Sequence, residues 1–206
     1  MFIIGLTGGI SCGKSAVAFE LKKFGAVTFD VDEETHRLIQ PGEEFFKAYV
    51  SHFGEQVINE YGQVDKRTIR EIIFHDEDER QWINSVTHPI LLNCTRQFLV
   101  DAQERGEKVA VLEIPLLFEA GWQNLVDEVW AVYLPSNLQL NRLIRRDRIT
   151  PEQAAARIRA QMPIGEICNR ADVVVKNKSS FADLQKQIFK AMNGRWFFEN
   201  KNLNTE

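Results

Sequence analysis

The sequence lacks the features of a membrane protein, a disulfide-stabilised protein and a nucleic-acid-binding protein. No hydrophobic run reaches the ~20 residues that span a bilayer. The chain's opening residues lack the basic segment and cleavage site of a signal peptide. The three cysteines (Cys12, Cys94 and Cys168) are too widely spaced for a disulfide framework or a zinc site. We therefore expect a cytoplasmic protein with reduced thiols.

An excess of positive charge is also absent, and no internal repeat or low-complexity segment is present. The net charge of -4 provides no general attraction for nucleic acid or an anionic membrane. We therefore expect no nucleic-acid or membrane partner, and no obligate protein partner is evident. An anionic ligand would have to meet a local cluster of basic residues.

The pattern of apolar residues predicts an α/β protein. A chain of 206 residues that is 44% hydrophobic can bury one sizeable core with insertions. A strand over residues 2–6, a helix over 14–24 and a strand over 26–29 form a βαβ unit, which favours a parallel sheet. Three further strands are predicted, at residues 109–114, 129–133 and 172–175.

The remaining segments are predicted to be helical. Between residues 33 and 105 the amphipathic stretches are 43–53, 66–74 and 79–86, with breaks predicted at Pro41-Gly42, Tyr61-Gly62 and His88-Pro89. A last helix is predicted over residues 181–198, followed by a polar, frayed tail over 200–206.

One motif indicates phosphate binding. Residues 8–15 match the pattern G-x-x-x-x-G-K-[ST] in full, between a predicted strand and a predicted helix. Glycine permits positive φ, so consecutive backbone N–H groups can point at a phosphate, and the helix N-terminus adds its dipole. We expect Lys14 to reach the β- and γ-phosphates and Ser15 to bind Mg²⁺ through its hydroxyl. The predicted nucleotide-binding residues are Gly8, Gly9, Ile10, Ser11, Cys12, Gly13, Lys14, Ser15 and Ala16.

Two nucleotide-hydrolysing classes fit the sequence poorly. No Asp is followed three residues later by Gly, and Asn177-Lys178-Ser179-Ser180 lacks the final Asp of a guanine-recognition motif. A motor-type ATPase would have a strand ending in Asp-Glu, whereas the nearest candidate ends in Glu113-Ile114-Pro115. A small-molecule kinase is the class that remains.

A kinase needs a base near the acceptor hydroxyl. Asp30 and Asp32 follow the second predicted strand. In a doubly wound sheet, side chains just beyond the carboxyl ends of the strands contact the ligand. One could accept the hydroxyl proton while the other orients a metal-bound water or a loop. Either residue alone could instead be the N-cap of the helix that starts near Glu33.

A basic cluster over residues 142–159 is the second feature of a kinase. Its arginines are Arg142, Arg145, Arg146, Arg148, Arg157 and Arg159. On a predicted helix, Arg142 and Arg146 lie one turn apart and could bind a phosphate together, although such charges are often only solvated. Thr150, Pro151 and Gln153 predict a second helix with a capping box. Two helices joined by an arginine-rich turn are typical of a lid that excludes water and stabilises transition-state charge.

The motifs, and their order along the chain, resemble those of the dephospho-coenzyme A kinase family. The resemblance covers residues 4 to about 177. It depends on Gly5-Leu6-Thr7-Gly8-Gly9-Ile10 with Gly13-Lys14-Ser15, Asp30-Val31-Asp32, Thr87-His88-Pro89, Pro115-Leu116-Leu117-Phe118-Glu119, Arg142 with Arg146-Asp147, and Gln161-Met162-Pro163 before Ala171-Asp172.

The resemblance implies transfer of the ATP γ-phosphate to the ribose 3′-hydroxyl of dephospho-coenzyme A (dephospho-CoA), with ATP and Mg²⁺ as cofactors. Asp32 resembles the family's catalytic base, and Lys14, Arg142 and Arg146 would stabilise the transferred phosphate. The implied acceptor-binding residues are Asp32, His88, Pro89, Pro115, Leu116 and Leu117, with Glu119 in a structural role. A kinase for another nucleotide or metabolite, or a switch that hydrolyses ATP without transferring phosphate, remains as an alternative.

The implied architecture is a three-layer P-loop kinase fold with a parallel sheet. Residues 1–32, 106–135 and 168–200 would form the nucleotide-binding core. Residues 33–105 would be a helical acceptor-binding insertion, and residues 136–167 an arginine-rich lid.

Two positions of the phosphate motif depart from the family pattern. Ser11 and Cys12 stand where the family usually has Gly-Ser. Ser11 fits the loop if its φ is negative. Cys12 lies beside Lys14 and near a helix N-terminus, which predicts a lowered thiol pKa and a reactive thiol.

Overall fold

The computed structural model describes residues 1–193, which divide into two compact units. Within the described residues, the first unit comprises Met1–Phe29 together with residues 99–193, and the second is Asp30–Phe98. The end of the helix predicted to residue 198, the tail predicted over 200–206 and the end of the core segment 168–200 lie outside the described residues.

A five-stranded parallel sheet, as predicted, forms the centre of the first unit. Its strands are β1 (Phe2–Gly8), β2 (Val27–Asp30), β3 (Val109–Glu113), β4 (Glu128–Tyr133) and β5 (Val173–Lys176). Their order in the sheet is β2-β3-β1-β4-β5, with β1 between β3 and β4. Because parallel strands end at the same edge, the segment after β1 is flanked by those after β3 and β4.

Nine helices accompany the sheet within residues 1–193. They are α1 (Lys14–Lys23), α2 (Val31–Leu38), α3 (Glu44–Phe53), α4 (Lys66–His75), α5 (Glu77–Glu104), α6 (Ser136–Asp147), α7 (Pro151–Arg159), α8 (Ile164–Arg170) and α9 (Phe181–Met192). Short 3-10 helices lie at Glu55–Val57 and Trp122–Leu125. No helix within residues 1–193 is long and apolar enough to cross a bilayer.

Apolar residues of β1, β3 and β4 form the core of the first unit with one face of α1 and α9. All five residues of β3 are buried, as its continuous apolar run predicts for a strand covered on both faces. The buried cluster includes Ile4, Leu6, Leu21, Trp130 and Ile188. This packing fixes the direction of β1 and α1, which hold the two ends of the phosphate motif.

Capping residues set several helix boundaries. Gly25, with φ of 88°, follows the end of α1. Asp30 is the N-cap of α2, and its carboxylate accepts hydrogen bonds from the backbone N–H groups of Asp32 and Glu33. Thr150 and Gln153 form the predicted capping box of α7. Helix α8 was not predicted.

The predicted break at His88-Pro89 is wrong, because α5 continues through Pro89. Proline lacks the N–H group that would bond to the carbonyl four residues earlier, which disfavours a helix interior. Thr87, Leu91 and Thr95 lie on one buried side of α5, and both threonine hydroxyls donate to carbonyls one turn earlier. The stabilisation from burying this side of α5 therefore outweighs the loss of a single backbone hydrogen bond.

Candidate active site

The phosphate loop, residues 8–15, connects β1 to α1 and requires two of its glycines. Gly8 has φ of 142°, and a Cβ there would lie 2.6 Å from the Val132 carbonyl oxygen. Gly13 has φ of 94°, and a Cβ there would clash with Asn177 Nδ2. Side chains are excluded at both positions, so backbone can approach a ligand closely.

The side chains of the loop are placed as a phosphate site requires. Lys14 Nζ lies 3.1 Å from the Gly8 carbonyl oxygen, so the ammonium group spans the loop. Ser15, in the first turn of α1, is exposed and can present its hydroxyl to a metal ion. The N–H groups at a helix N-terminus have no carbonyl partner within the helix, and they attract anions. The geometry therefore fits a nucleotide phosphate.

Magnesium in phosphate-transfer sites is held by one or two protein ligands, substrate phosphates and water. Within residues 1–193 no cluster of three or more His, Cys, Asp or Glu side chains could hold a metal ion by itself. The Ser15 hydroxyl, at the end of the loop, matches a site that uses few protein ligands.

Ser11 does not have the negative φ with which a serine would fit the loop without strain. Its φ is 63°, in the left-handed region. For an L-residue other than glycine this conformation costs about 1–2 kcal/mol, because Cβ approaches the following carbonyl. The loop therefore contains a strained residue at the position where the family usually has glycine.

The predicted reactivity of Cys12 is wrong. The residue is fully buried in the core of the first unit, against α1 and the sheet. Burial disfavours the thiolate and raises the thiol pKa to about 11, and the nearby Lys14 charge opposes this shift only in part. At neutral pH Cys12 is a protonated packing residue.

Three side-chain amides that the sequence interpretation missed bind the backbone of the loop. Gln139 Nε2 donates to the Ile10 carbonyl at 3.0 Å, and Gln161 Oε1 accepts from the Ile10 N–H at 2.7 Å. Asn177 Nδ2 donates to the Cys12 carbonyl at 2.8 Å. Two sequence signals were available: Gln161 opens the motif Gln161-Met162-Pro163, and Gln139 is a polar residue one turn before Leu143 on the buried face of α6.

The arginines Arg142 and Arg146 have different surroundings. Arg142 Nη2 donates to the Asn177 carbonyl at 3.3 Å, and its guanidinium lies near Gly13 of the phosphate loop. Arg146 pairs with Asp147 at 2.7 Å, and Arg157 pairs with the same carboxylate. The hydrogen bond from Arg146 is the main reason that the pKa of Asp147 is lowered.

The segment after β3 carries three of the proposed acceptor residues, Pro115, Leu116 and Leu117. The Pro115 carbonyl accepts a hydrogen bond from the Thr7 hydroxyl at 3.2 Å. Leu116 is exposed, whereas Leu117 is fully buried and packs against Gly5. Pro115 and Leu116 are thus the residues of this group with surface available to a ligand.

Glu119 has the structural contact expected for it. Its carboxylate accepts a hydrogen bond from the backbone N–H of Met162 at 3.0 Å. Gln161, the neighbouring residue, bonds to the phosphate loop, so the connection between α7 and α8 is anchored at both positions. A cavity of about 350 Å³ beside Gly9 is lined by this connection and by residues of α6 and α7.

The other proposed acceptor residues belong to the second unit. Asp32 is exposed in the first turn of α2, while Asp30 has the capping role described above. His88 is half-buried and Pro89 exposed, and both lie in the interior of α5. The capping role of Asp30 leaves Asp32 as the exposed carboxylate of the pair.

Comparison with known proteins identifies the family. The family model described as dephospho-CoA kinase matches residues 2–183. A dephospho-CoA kinase from Carboxydothermus hydrogenoformans is 40% identical over 186 residues, which are 90% of each chain. The chain belongs to the dephospho-CoA kinase family. The resemblance predicted from the sequence is therefore confirmed, and with it the assignment to the kinases.

Solved structures agree with this family assignment. A protein from Thermus thermophilus superposes with a TM-score of 0.78 at 32% identity, over 93% of this chain and 95% of its own. The dephospho-CoA kinase from Campylobacter jejuni has a TM-score of 0.66 at 26% identity, over 92% and 94% of the two chains. The α/β P-loop kinase fold is thus shared by this chain and a named dephospho-CoA kinase.

Proposed function

We propose that the protein transfers the γ-phosphate of ATP to the ribose 3′-hydroxyl of dephospho-CoA, yielding CoA and ADP. The observation that carries this proposal is a complete phosphate loop in a chain that matches the family over residues 2–183. This reaction is the final step of coenzyme A synthesis, as the sequence resemblance implies.

On the donor side, the phosphate loop would hold the β- and γ-phosphates. Lys14 and the amides at the start of α1 would neutralise charge, while Ser15 would hold Mg²⁺. When bound, Mg²⁺ would offset the negative charge that develops on the phosphates. Because phosphoryl transfer requires little covalent chemistry from the protein, positioning and charge stabilisation are its main contributions.

Two lid arginines would complete the donor side. Arg142 already lies beside the loop through its bond to Asn177. Arg146 is paired with Asp147, so its binding to a phosphate would require exchange of one anionic partner for another. Both side chains are exposed on α6, which leaves them accessible to a nucleotide.

On the acceptor side, Asp32 would accept the proton of the ribose hydroxyl. Its carboxylate is exposed, so that a hydroxyl compound can come within the hydrogen-bonding distance that a general base needs. His88 and Pro89 of the second unit, Asp30–Phe98, would bind the acceptor, as would Pro115 and Leu116 after β3. Leu117, implied by the resemblance as a third residue of this segment, is fully buried and has only a packing role. Residues 136–167 would act as the lid.

The test is ADP release from MgATP with and without dephospho-CoA, in the unmodified protein and in Asp32→Asn. We expect release to depend on the acceptor and to fall at least ~100-fold in Asp32→Asn, the usual range for loss of a general base. Nucleotide affinity should be unchanged. Glu33→Gln, which removes the neighbouring exposed carboxylate, is the matched control and should retain activity.

Three outcomes would contradict parts of this account. Equal ADP release without dephospho-CoA would indicate an ATP-hydrolysing switch. Release that responds to another hydroxyl compound but not to dephospho-CoA would indicate a different kinase. Full activity in Asp32→Asn would remove the base assignment alone.

A further inference from the structure

The backbone of the phosphate loop is held by side-chain amides from three separate segments of the first unit. Gln139 comes from α6, Gln161 from the connection between α7 and α8, and Asn177 from the residue after β5. Their bonds have lengths of 3.0, 2.7 and 2.8 Å. A charged side chain would add net charge beside a nucleotide, whereas an amide side chain binds the backbone without adding charge.

The bonded residues flank the strained one. Both backbone groups of Ile10 are held, the carbonyl by Gln139 and the N–H by Gln161, and the carbonyl of Cys12 is held by Asn177. Between them lies Ser11, at φ of 63°. A residue kept in the left-handed region persists only when its surroundings fix it there.

We propose that Gln139, Gln161 and Asn177 are positioning residues that hold Ser11 in its left-handed conformation and so pre-form the phosphate loop for nucleotide. This inference deepens the proposed function and rests on ATP as the donor, but not on dephospho-CoA as the acceptor. It assigns a role to the departure at Ser11. Glycine would adopt this φ without strain, whereas serine requires the amides.

Burial makes the Gln139 bond a firm restraint. Gln139 has 2% of its surface exposed, so water does not compete effectively for its amide. It also fills the space next to Gly9, where a Cβ would lie 2.5 Å from Gln139 Nε2. A movement of the loop would leave this buried amide without its partner, which is costly.

The restraint predicts a specific coupling with position 11. If the amides are lost, a serine loop relaxes toward negative φ, and nucleotide binding must restore the strained form. A strain of about 1–2 kcal/mol corresponds to roughly a 5- to 30-fold loss of affinity. A glycine at position 11 has no such preference, so loss of the amides should weaken nucleotide binding only about one- to twofold.

The experiment is a cycle of four proteins: the unmodified chain, Gln161→Met, Ser11→Gly and the double variant. The measurement is the dissociation constant of MgADP by calorimetry, with no acceptor present. We expect Gln161→Met to weaken binding at least ~5-fold when residue 11 is serine, and to have little effect when it is glycine. The same cycle with Gln139→Met tests the buried amide.

Gln185→Met is the matched control, because Gln185 on α9 donates to the buried Glu20 of α1, away from the phosphate loop. It should lower the melting temperature without changing MgADP affinity. Equal losses in the serine and glycine backgrounds would overturn the proposal. Tighter binding in Gln161→Met would also overturn it, since Gln161 would then compete with phosphate for the Ile10 N–H. Absence of dephospho-CoA phosphorylation would refute the proposed acceptor and leave this cycle unaffected.

Discussion

At the scale of single residues, the phosphate loop shows where sequence reasoning is sufficient and where it is not. The motif predicts Lys14 and the glycines because their chemistry depends on local backbone geometry. The sequence left the φ of Ser11 open, and the prediction of a reactive Cys12 was wrong, because the state of both residues depends on distant parts of the chain. Side-chain amides far along the sequence bind on either side of Ser11, and the hydrophobic core surrounds Cys12.

The state of Cys12 gives a direct prediction. Since the reactive species of a thiol is the thiolate, a buried group with a pKa of about 11 should react slowly at pH 7.5. We expect N-ethylmaleimide to modify Cys94 and Cys168, which are half-buried, before Cys12. Mass spectrometry of peptides at successive times measures the order.

The denatured protein supplies the reference for this experiment, because all three thiols are then accessible. In the folded protein, Cys12 labelling as fast as in the denatured chain would contradict the assignment of Cys12 as a packing residue. A rate that rises with pH while remaining the lowest of the three would agree with it.

At the scale of elements, predictions succeed where the determining residues are neighbours in sequence. The capping box of α7 was predicted from Thr150 and Gln153, and the structure contains both of its hydrogen bonds. The break at Pro89 was wrong because the local cost of proline is outweighed by burial along α5. Helix α8 is only seven residues long and was missed.

The capping box can be tested by Thr150→Ala. Loss of a threonine N-cap costs about 1 kcal/mol, so amide hydrogens of α7 should exchange roughly fivefold faster with solvent deuterium. Ser180→Ala removes the side-chain cap of α9 and is the matched control. It should accelerate exchange in α9 and leave α7 unchanged. Equal acceleration of both helices by Thr150→Ala would argue against a local effect.

Pro89 gives a second prediction at this scale. Pro89→Ala restores the N–H group that can bond to the Ser85 carbonyl, and proline in a helix interior costs about 3 kcal/mol. The melting temperature, measured by circular dichroism, should therefore rise by several degrees. A lower melting temperature would mean that contacts of the proline ring stabilise the second unit by more than the missing hydrogen bond.

At the scale of the whole molecule, hydrophobic patterning predicted the parallel sheet because buried strands have continuous apolar sequences. The order of its strands and the amide contacts to the loop could not be predicted from one sequence, since both depend on contacts between distant segments. The ordered motifs of the sequence predicted the family. Asp32, His88 and Pro89 remain predictions as acceptor residues. All three lie in the second unit, and substitutions at these positions are needed to test them.

The central claim is that the γ-phosphate passes to dephospho-CoA rather than to water, and its most direct test follows that phosphate. ATP labelled with ³²P in the γ-position is incubated with the protein, Mg²⁺ and dephospho-CoA, and the products are separated by chromatography. The account predicts label in CoA, at the ribose 3′-position, in equal amount to the ADP formed. Label recovered only as inorganic phosphate, with ADP formed at the same rate when dephospho-CoA is omitted, would contradict it.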